Sequence, residues 1–500
     1  MLPRLALFLV ATILTVACSG DSGVTDTGDG TPTPVAATCE LDGDLPAPVL
    51  ATCDDLAERF GQSPDSVVSM TMTEWPDACL GVPEPDEVCA QVIVSGYQVV
   101  FSVDSNRYTY RTDGGVNVRF AGFEIRRPAE DAGAQLVARA AEPVAFDISA
   151  GGRLFFTLRQ EGEIRWVFVG PSAAAGESVP RTAALGGRGA FFAQVEVFLG
   201  LECGLLGIVL DPDFKTNRYV YVYAIQPVAG RNDVGKPRVI RYTDVNGMGE
   251  DPTIIVGDLP FTNPKTCAHV GGNLHFGPDG YLYLSMGNNE RSDEAVAADL
   301  SSPLGKILRI DKADGSAAPG NPFASDAAAD PRVFAYGFRN PWDFAFHPAT
   351  DEIYAPDNGP GNCDELNIVR AGADYGVPDS LPTSLATTCL GLGGVDPIHL
   401  FAQPGTSAHE FGSNVAPTGV AFLEAGVYAG LGEGLLVCEF LTGSLRLLEF
   451  AGPDFDQVVS DRVIFDFCRF NVGLDADGVI YVAFEDATFR LPPEELTITP

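Results

Sequence analysis

From about residue 128 to 492 the chain repeats one pattern: a short apolar strand, a turn containing Asp and Gly, and a second apolar strand. The stretches "AFDISAGGRLFFTLR", "GIVLDPDFKTNRYVYVYA", "NLHFGPDGYLYLSMG", "DFAFHPATDEIYAPD", "GVAFLEAGVYAGLGEGLLVCEF" and "GLDADGVIYVAF" mark six such units at a spacing of about 60 residues, with almost no helical periodicity between them. Repeated antiparallel units of this size predict blades around an axis, because each sheet then buries both faces against its neighbours and keeps few free edges. A β-sandwich is the structural alternative, but several hundred residues of this repeat exceed a typical one. The expectation is an all-β, six-bladed β-propeller preceded by a small α+β domain.

That small domain is read over residues 39–127. "CDDLAERFG" places Leu56, Ala57 and Phe60 on one helical face, and "CAQVIVSGYQVVFSVDSNRYTYRTD" alternates apolar and polar residues about a turn at Asp104-Ser105-Asn106, a β-hairpin signature. Residues 19–38 are Gly, Ser, Thr, Asp and Pro with almost nothing to bury, as in a flexible spacer. Before them, Arg4 is followed by an apolar run from Leu5 to Val16, too short to span a bilayer and typical of a secretory signal. In "LTVACSG" Cys18 directly follows Ala17, which resembles a bacterial lipobox with Cys18 as the lipidated residue, although Thr15 departs from it. Ordinary signal cleavage nearby is the alternative. The expected location is the cell envelope, with membrane contact only through that anchor.

Composition narrows the partners. The 67 acidic and 31 basic side chains leave a net charge of −36, which opposes nucleic-acid phosphates and anionic membrane surfaces. Of eleven cysteines, removing Cys18 leaves an even number, and none of these forms a C-x-x-C pair, so disulfides are expected rather than a zinc site. Local pairs are expected, Cys79 with Cys89 and Cys363 with Cys389.

Six motifs follow one another in order: "LECGLLGIVLDPDFKTNRYVYVYA", "HVGGNLHFGPDGYLYLSMG", "LGKILRID", "YGFRNPWDFAFHP", "DNGPGNCDELNIV" and "ADYGVP". This series resembles the glucose/sorbosone dehydrogenase family, densest between Leu199 and Pro378. The resemblance implies oxidation of aldose sugars at the anomeric carbon, with hydride passing to pyrroloquinoline quinone (PQQ) above a Ca2+ ion. It makes His269 the general base, an imidazole being suited to exchange a proton near neutrality. Arg339 and Asn340 would lie against the cofactor, with the guanidinium stabilising the charge that develops on the quinone. Glu202 falls at a cofactor-side position, and the carbonyls of Gly359 and Pro360 would bind the calcium, helped by Asp357, Asp364 and Glu365. The glycines after His269 would leave room for substrate.

The same alignment exposes departures. PQQ carries three carboxylates, which need cations or many N–H donors when buried. The family's lysine in the fifth unit falls on Leu441, and its two arginines near the last unit fall on Cys468 and Phe470. Arg469 lies between them and would face the opposite way on a regular strand unless a bulge re-aims it. Asn288 replaces a carboxylate beside the base, which would leave His269 less basic, and Ala268 replaces an Asp found in some members. Two further bridges near the pocket, Cys203 with Cys267 and Cys438 with Cys468, would fit a cavity remodelled for another ligand. Three readings therefore stay open: an active sugar dehydrogenase, an inactive propeller binding a protein or glycan at the envelope, and a calcium-dependent lactonase.

Overall fold

The structure, a computed structural model, describes residues 47–60, 64, 66–82, 87, 89–103, 106–113, 115, 117–124, 133–170, 183–264, 266–290, 294–359, 363–376, 393–408 and 413–494. The signal segment with Cys18, the spacer, Pro360 and Cys389 lie outside them. Two compact units meet in sequence between Arg126 and Arg127.

The first unit is a helix, α1 (Ala47–Phe60), and a four-stranded antiparallel meander: β1 (Ser66–Trp75), β2 (Val94–Val103), β3 (Asn106–Asp113) and β4 (Val118–Glu124). The hairpin pairs β2 with β3 from Gly96↔Asp113 to Val103↔Asn106. Val49, Cys53 and Leu56 of the helix are buried with Val99, Phe101 and Tyr110 of the sheet, the amphipathic arrangement that lets one helix cover one sheet face. The helix begins earlier than the periodicity indicated, and a disulfide joins Cys79 to Cys89.

The second unit contains six four-stranded antiparallel sheets, a six-bladed β-propeller. Blade 1 is β6–β9 (Pro143–Ile148, Arg153–Leu158, Glu163–Phe168, Ala190–Gln194) and blade 2 is β10–β13 (Leu205–Leu210, Tyr219–Val228, Arg231–Val245, Met248–Val256). Blade 3 is β14–β17 (Leu274–Phe276, Leu282–Met286, Lys306–Ile310, Val333–Tyr336), and blade 4 is β18–β21 (Ala345–Phe346, Ile353–Asp357, Glu365–Val369, His399–Leu400). Blade 5 is β22–β25 (Pro417–Leu423, Gly434–Glu439, Leu445–Ala451, Gln457–Phe465). Blade 6 joins β26–β28 (Asn471–Leu474, Ile480–Phe484, Ala487–Leu491) to β5 (Gln135–Arg139) from the start of the unit, through pairs such as Ala487↔Arg139. This last pairing closes the ring with main-chain hydrogen bonds and removes an edge that would otherwise template aggregation.

Apolar side chains sit between blades rather than inside a single core. Blades 1 and 2 share Phe155, Phe192, Val220 and Val222, while blades 3 and 4 share Tyr283, Ile307, Phe344 and Ile353. Every residue of Leu205–Leu210 and Leu282–Met286 is buried, as expected of strands covered on both faces. The inner strands enclose an axial channel of about 220 Å³ that touches all six blades, through Asp147, Val209, His275, Phe346, Val420 and Val472.

Candidate functional site

A larger cavity, about 550 Å³, lies on the same axis. Its residues precede the channel residues along the inner strands: Val144 before Asp147, Thr418 before Val420 and Phe470 before Val472. The cavity therefore occupies the end of the axis at which the inner strands begin.

One side of the cavity is a hydrogen-bonded net. The Glu202 carboxylate accepts from the Val270 amide (3.3 Å) and from Asn340 Nδ2 (3.4 Å), and Asn340 Oδ1 accepts from the Gly271 amide (3.2 Å). His269 stands beside it with Nδ1 3.0 Å from Asn288 Oδ1. Its backbone has φ +51°, a left-handed conformation uncommon for a residue with a Cβ and recurrent at functional loops. The Asn289 amide, which donates to the His269 carbonyl (2.9 Å), holds the chain there. Burial first, and then the nearby Arg339 guanidinium, push the His269 imidazole down to about 4, against the Asn288 hydrogen bond. Asn288 thus orients the ring while leaving it weakly basic. Burial likewise raises the Glu202 carboxyl to about 7.

Arg339 and Asn340 are held from below by Asp357, whose two oxygens accept their backbone amides at 2.8 and 2.6 Å. Asp364 does the same for the next loops, accepting from the Gly359, Val415 and Ala416 amides at 3.0, 2.7 and 2.7 Å. Burial raises these carboxyls to about 7 and 6, and Glu365 to about 8. Asp357 and Asp364, expected to help hold a metal ion, have oxygens that bind backbone N–H groups, which brings the blade-4 and blade-5 loops to the cavity. The Gly359 carbonyl, expected to ligate calcium, accepts from Arg339 Nη1 (3.1 Å), as does the Asn358 carbonyl (2.8 Å). A cation there would have to displace a guanidinium.

The glycines after His269 also act differently from expectation. A Cβ on Gly271 (φ +59°) would come within 2.7 Å of the Ser285 carbonyl, and one on Gly272 (φ +118°) within 2.7 Å of the Tyr223 ring. They allow backbone to approach backbone and a neighbouring aromatic ring, rather than leaving room for substrate.

The opposite side is built from aromatic rings and neutralised charges. Arg469 and Phe470 both line the cavity although they are consecutive, because both amides donate to the Ala483 carbonyl at 3.1 Å. Two residues against one is a bulge, and it re-aims Arg469 inward. Its guanidinium pairs with Glu485 (2.5 Å) and lies over the Phe440 ring (5.5 Å). Arg159 pairs with Glu142 (2.7 Å) and donates to the carbonyls of Gly200, Leu201 and Cys203. Bridges Cys203–Cys267 and Cys438–Cys468 tie down the loops on the two sides. Leu441, at the family's lysine position, is 49% exposed and does not line the cavity.

A sequence profile described as Glucose / Sorbosone dehydrogenase matches residues 140–491. The chain belongs to the glucose/sorbosone dehydrogenase family. A second profile, described as a domain of unknown function, matches residues 49–119. The aldose sugar dehydrogenase YliI of Escherichia coli is 31% identical over 35% of this chain and 46% of its own length. Quinoprotein glucose dehydrogenase B of Acinetobacter calcoaceticus is 28% identical over 35% and 40%, and the Hedgehog-interacting protein of Mus musculus 30% over 36% and 29%. The chain spans less than half the length of these relatives. In fold, the PQQ-bound aldose sugar dehydrogenase of Streptomyces coelicolor matches with TM-score 0.54 at 23% identity, over 71% of this chain and 96% of that one. The apo-form soluble aldose sugar dehydrogenase of Escherichia coli gives 0.55 at 21%, over 72% and 97%.

Against this family the site divides. Of the residues expected at the quinone and substrate, Glu202 and Asn340 line the cavity, whereas His269 lines a separate pocket of about 10 Å³ and Arg339 lines neither. The residues expected at the cofactor's carboxylates are not cationic, and the guanidiniums bordering the cavity there, Arg159 and Arg469, already pair with glutamates. Burying three carboxylates beside neutralised guanidiniums and the Phe470 ring leaves charge uncompensated, so the residues present do not fit PQQ held in the family's manner. Sequence reasoning missed Arg159, Asn358, Phe440 and Glu485. Each directly follows the second strand of its blade, a repeat position that aligning the six units on one another would have exposed.

Proposed function

We propose that this chain binds aldose sugars in the axial cavity through the substrate half of a sugar-dehydrogenase site. The observation that carries this reading is that Glu202 and Asn340, fixed by the Val270 and Gly271 amides, line one side of an open cavity. Sugars present many hydroxyls that both donate and accept, and a carboxyl and an amide on a rigid frame match them. The signal-like amino-terminal segment and the lipobox-like Cys18 support a location in the cell envelope, where such ligands are encountered directly.

PQQ- and calcium-dependent oxidation of the anomeric carbon is the second reading. It is favoured by the convergence of His269, Arg339, Asn340 and the Gly359 carbonyl, and by the family's description as sugar oxidoreductases. In it His269 takes the proton of the anomeric hydroxyl, which its low basicity makes slow at neutral pH. Its weakness is the missing cations at Leu441, Cys468 and Phe470.

One experiment separates the readings. The full chain in calcium is titrated calorimetrically with glucose and maltose, and separately with PQQ followed by its absorbance. Sugar binding without stoichiometric uptake of micromolar PQQ is expected. Absence of any sugar binding overturns the proposal. Stoichiometric PQQ binding, with aldose turnover on an artificial acceptor abolished in His269→Ala, establishes the second reading instead.

A further inference from the structure

We propose that the narrow axial channel, distinct from the larger cavity, binds one monovalent cation, sodium or potassium, between the Asp147 carboxylate and the side-chain amides of Asn273 and Asn471. The channel of about 220 Å³ has the volume of about seven waters at the roughly 30 Å³ each takes in the liquid. That is room for an ion with part of its hydration shell, and oxygen donors of this kind suit hard cations.

The ring itself places the two amides. Asn273 directly precedes β14 at the start of blade 3, and Asn471 opens β26 of blade 6, so they stand three blades apart, on opposite sides of the axis. Each packs against an inner-strand glycine of the preceding blade: a Cβ on Gly207 would come within 3.1 Å of the Asn273 Cα, and one on Gly419 within 2.4 Å of the Asn471 Cα. Both asparagines line the channel, both are only 6% exposed, and neither side chain makes a hydrogen bond among the described residues. Buried polar groups are nearly always paired, and the space these two face is the channel.

Charge selects the valence. Three charged side chains line the channel: Asp147, His275 and Asp343. His275 Nε2 and Asp343 Oδ1 pair at 2.7 Å, and the other Asp343 oxygen accepts the Val420 amide at 3.1 Å. Desolvation opposes charge on the imidazole, but Asp343 and then Asp147 hold its pKa above the ordinary value, so this pair is neutral as a whole. Asp147 is left over. Its two oxygens accept the Ile148 and Leu210 amides, each at 2.7 Å, and each keeps a lone pair. Desolvation raises the Asp147 carboxyl against those two bonds and the His275 charge. A carboxylate so enclosed calls for a countercharge, and a single positive charge balances it, whereas a divalent ion would leave an excess beside His275.

The test compares salts at one ionic strength on the full chain, with choline chloride as the reference. The wild-type thermal midpoint should be higher in sodium or potassium chloride by about 2 °C or more, the size of shift a weakly bound ion gives a domain this large, and the protein should broaden the sodium-23 resonance. Asp147→Asn and Asn471→Leu should each abolish both effects. Asp147→Asn also takes an acceptor from a backbone amide, so the difference between salts is read and not the midpoint itself; Asn471→Leu keeps Asp147 and decides the matter if the first variant does not fold. Equal wild-type midpoints in all three salts, a difference that persists in either variant, or a rise with calcium chloride alone overturns the proposal.

Discussion

The two sides of the axial cavity are built by different physics. On the side of blades 2 to 4, buried carboxyls hold loops in place: Asp357 carries the Arg339 and Asn340 amides, and Asp364 those of Gly359, Val415 and Ala416. On the side of blades 5, 6 and 1, rings and ion pairs do the work, with Phe440, Phe470, Arg469–Glu485 and Arg159–Glu142. The first side is costly to alter because each carboxyl answers several buried N–H groups. The second can exchange side chains at little cost to the fold, and it is there that the chain departs from its family.

The largest expected effect breaks the first side. Asp364→Ala leaves three buried amides without an acceptor and should lower stability by about 3 kcal/mol or more, measured by urea denaturation monitored with tryptophan fluorescence. A change below about 1 kcal/mol would mean that the amides find other partners.

Next, the second side can be converted. A Phe470→Arg variant places a cation at one of the family's positions in the cavity lining, and a new charge-assisted hydrogen bond is worth about 1.5–3 kcal/mol. PQQ affinity should rise at least about tenfold over the wild type, read by absorbance titration.

The first side also predicts a pH dependence. Glu202, Asp357, Asp364 and Glu365 have folded-state values of about 7, 7, 6 and 8, above the ordinary 3.8 for Asp and 4.5 for Glu. Between those limits the folded state holds more protons than the unfolded one, so stability falls as pH rises. His269, lowered to about 4 from 6.5, acts oppositely between those two values but is outweighed by four, while Lys306, lowered to about 7 from 10.5 by burial, acts oppositely above about 7. The thermal midpoint should therefore be higher near pH 5.5 than near pH 7, with little further change up to about pH 8. A flat profile over that range would show that the carboxyls are not proton-loaded.

The smallest effect belongs to the rim. Glu485→Gln removes the partner of Arg469, and because the pair is partly exposed it should cost no more than about 1 kcal/mol of stability. It should nonetheless strengthen PQQ binding measurably by freeing one guanidinium, and a loss of stability well above that bound would make the pair structural.

Much of this was legible in the chain. The six strand–turn–strand units correspond one to one with the six blades, because a strand covered on both faces reads as an apolar run whatever its neighbours. Of the residues singled out by motif, Glu202 and Asn340 line the cavity, while His269 and Arg339 do not. That Asp357 and Asp364 hold backbone amides was not legible, because a carboxylate near an expected metal and one that holds backbone amides look alike in sequence, and the glycines after His269 proved to admit neighbouring backbone and an aromatic ring.

The amino-acid sequence by itself determined the blade count, the expectation of disulfides, the family and the loss of cations at Leu441, Cys468 and Phe470, since each depends on local pattern or residue identity. Only the tertiary structure decided which cysteines pair, that β5 closes blade 6, that a bulge turns Arg469 into the cavity, that Arg159 and Arg469 arrive already neutralised, and that Phe440 lines the cavity. These depend on which distant segments share an axis, and segments up to several hundred residues apart are joined there by hydrogen bonds and charges that no local pattern records.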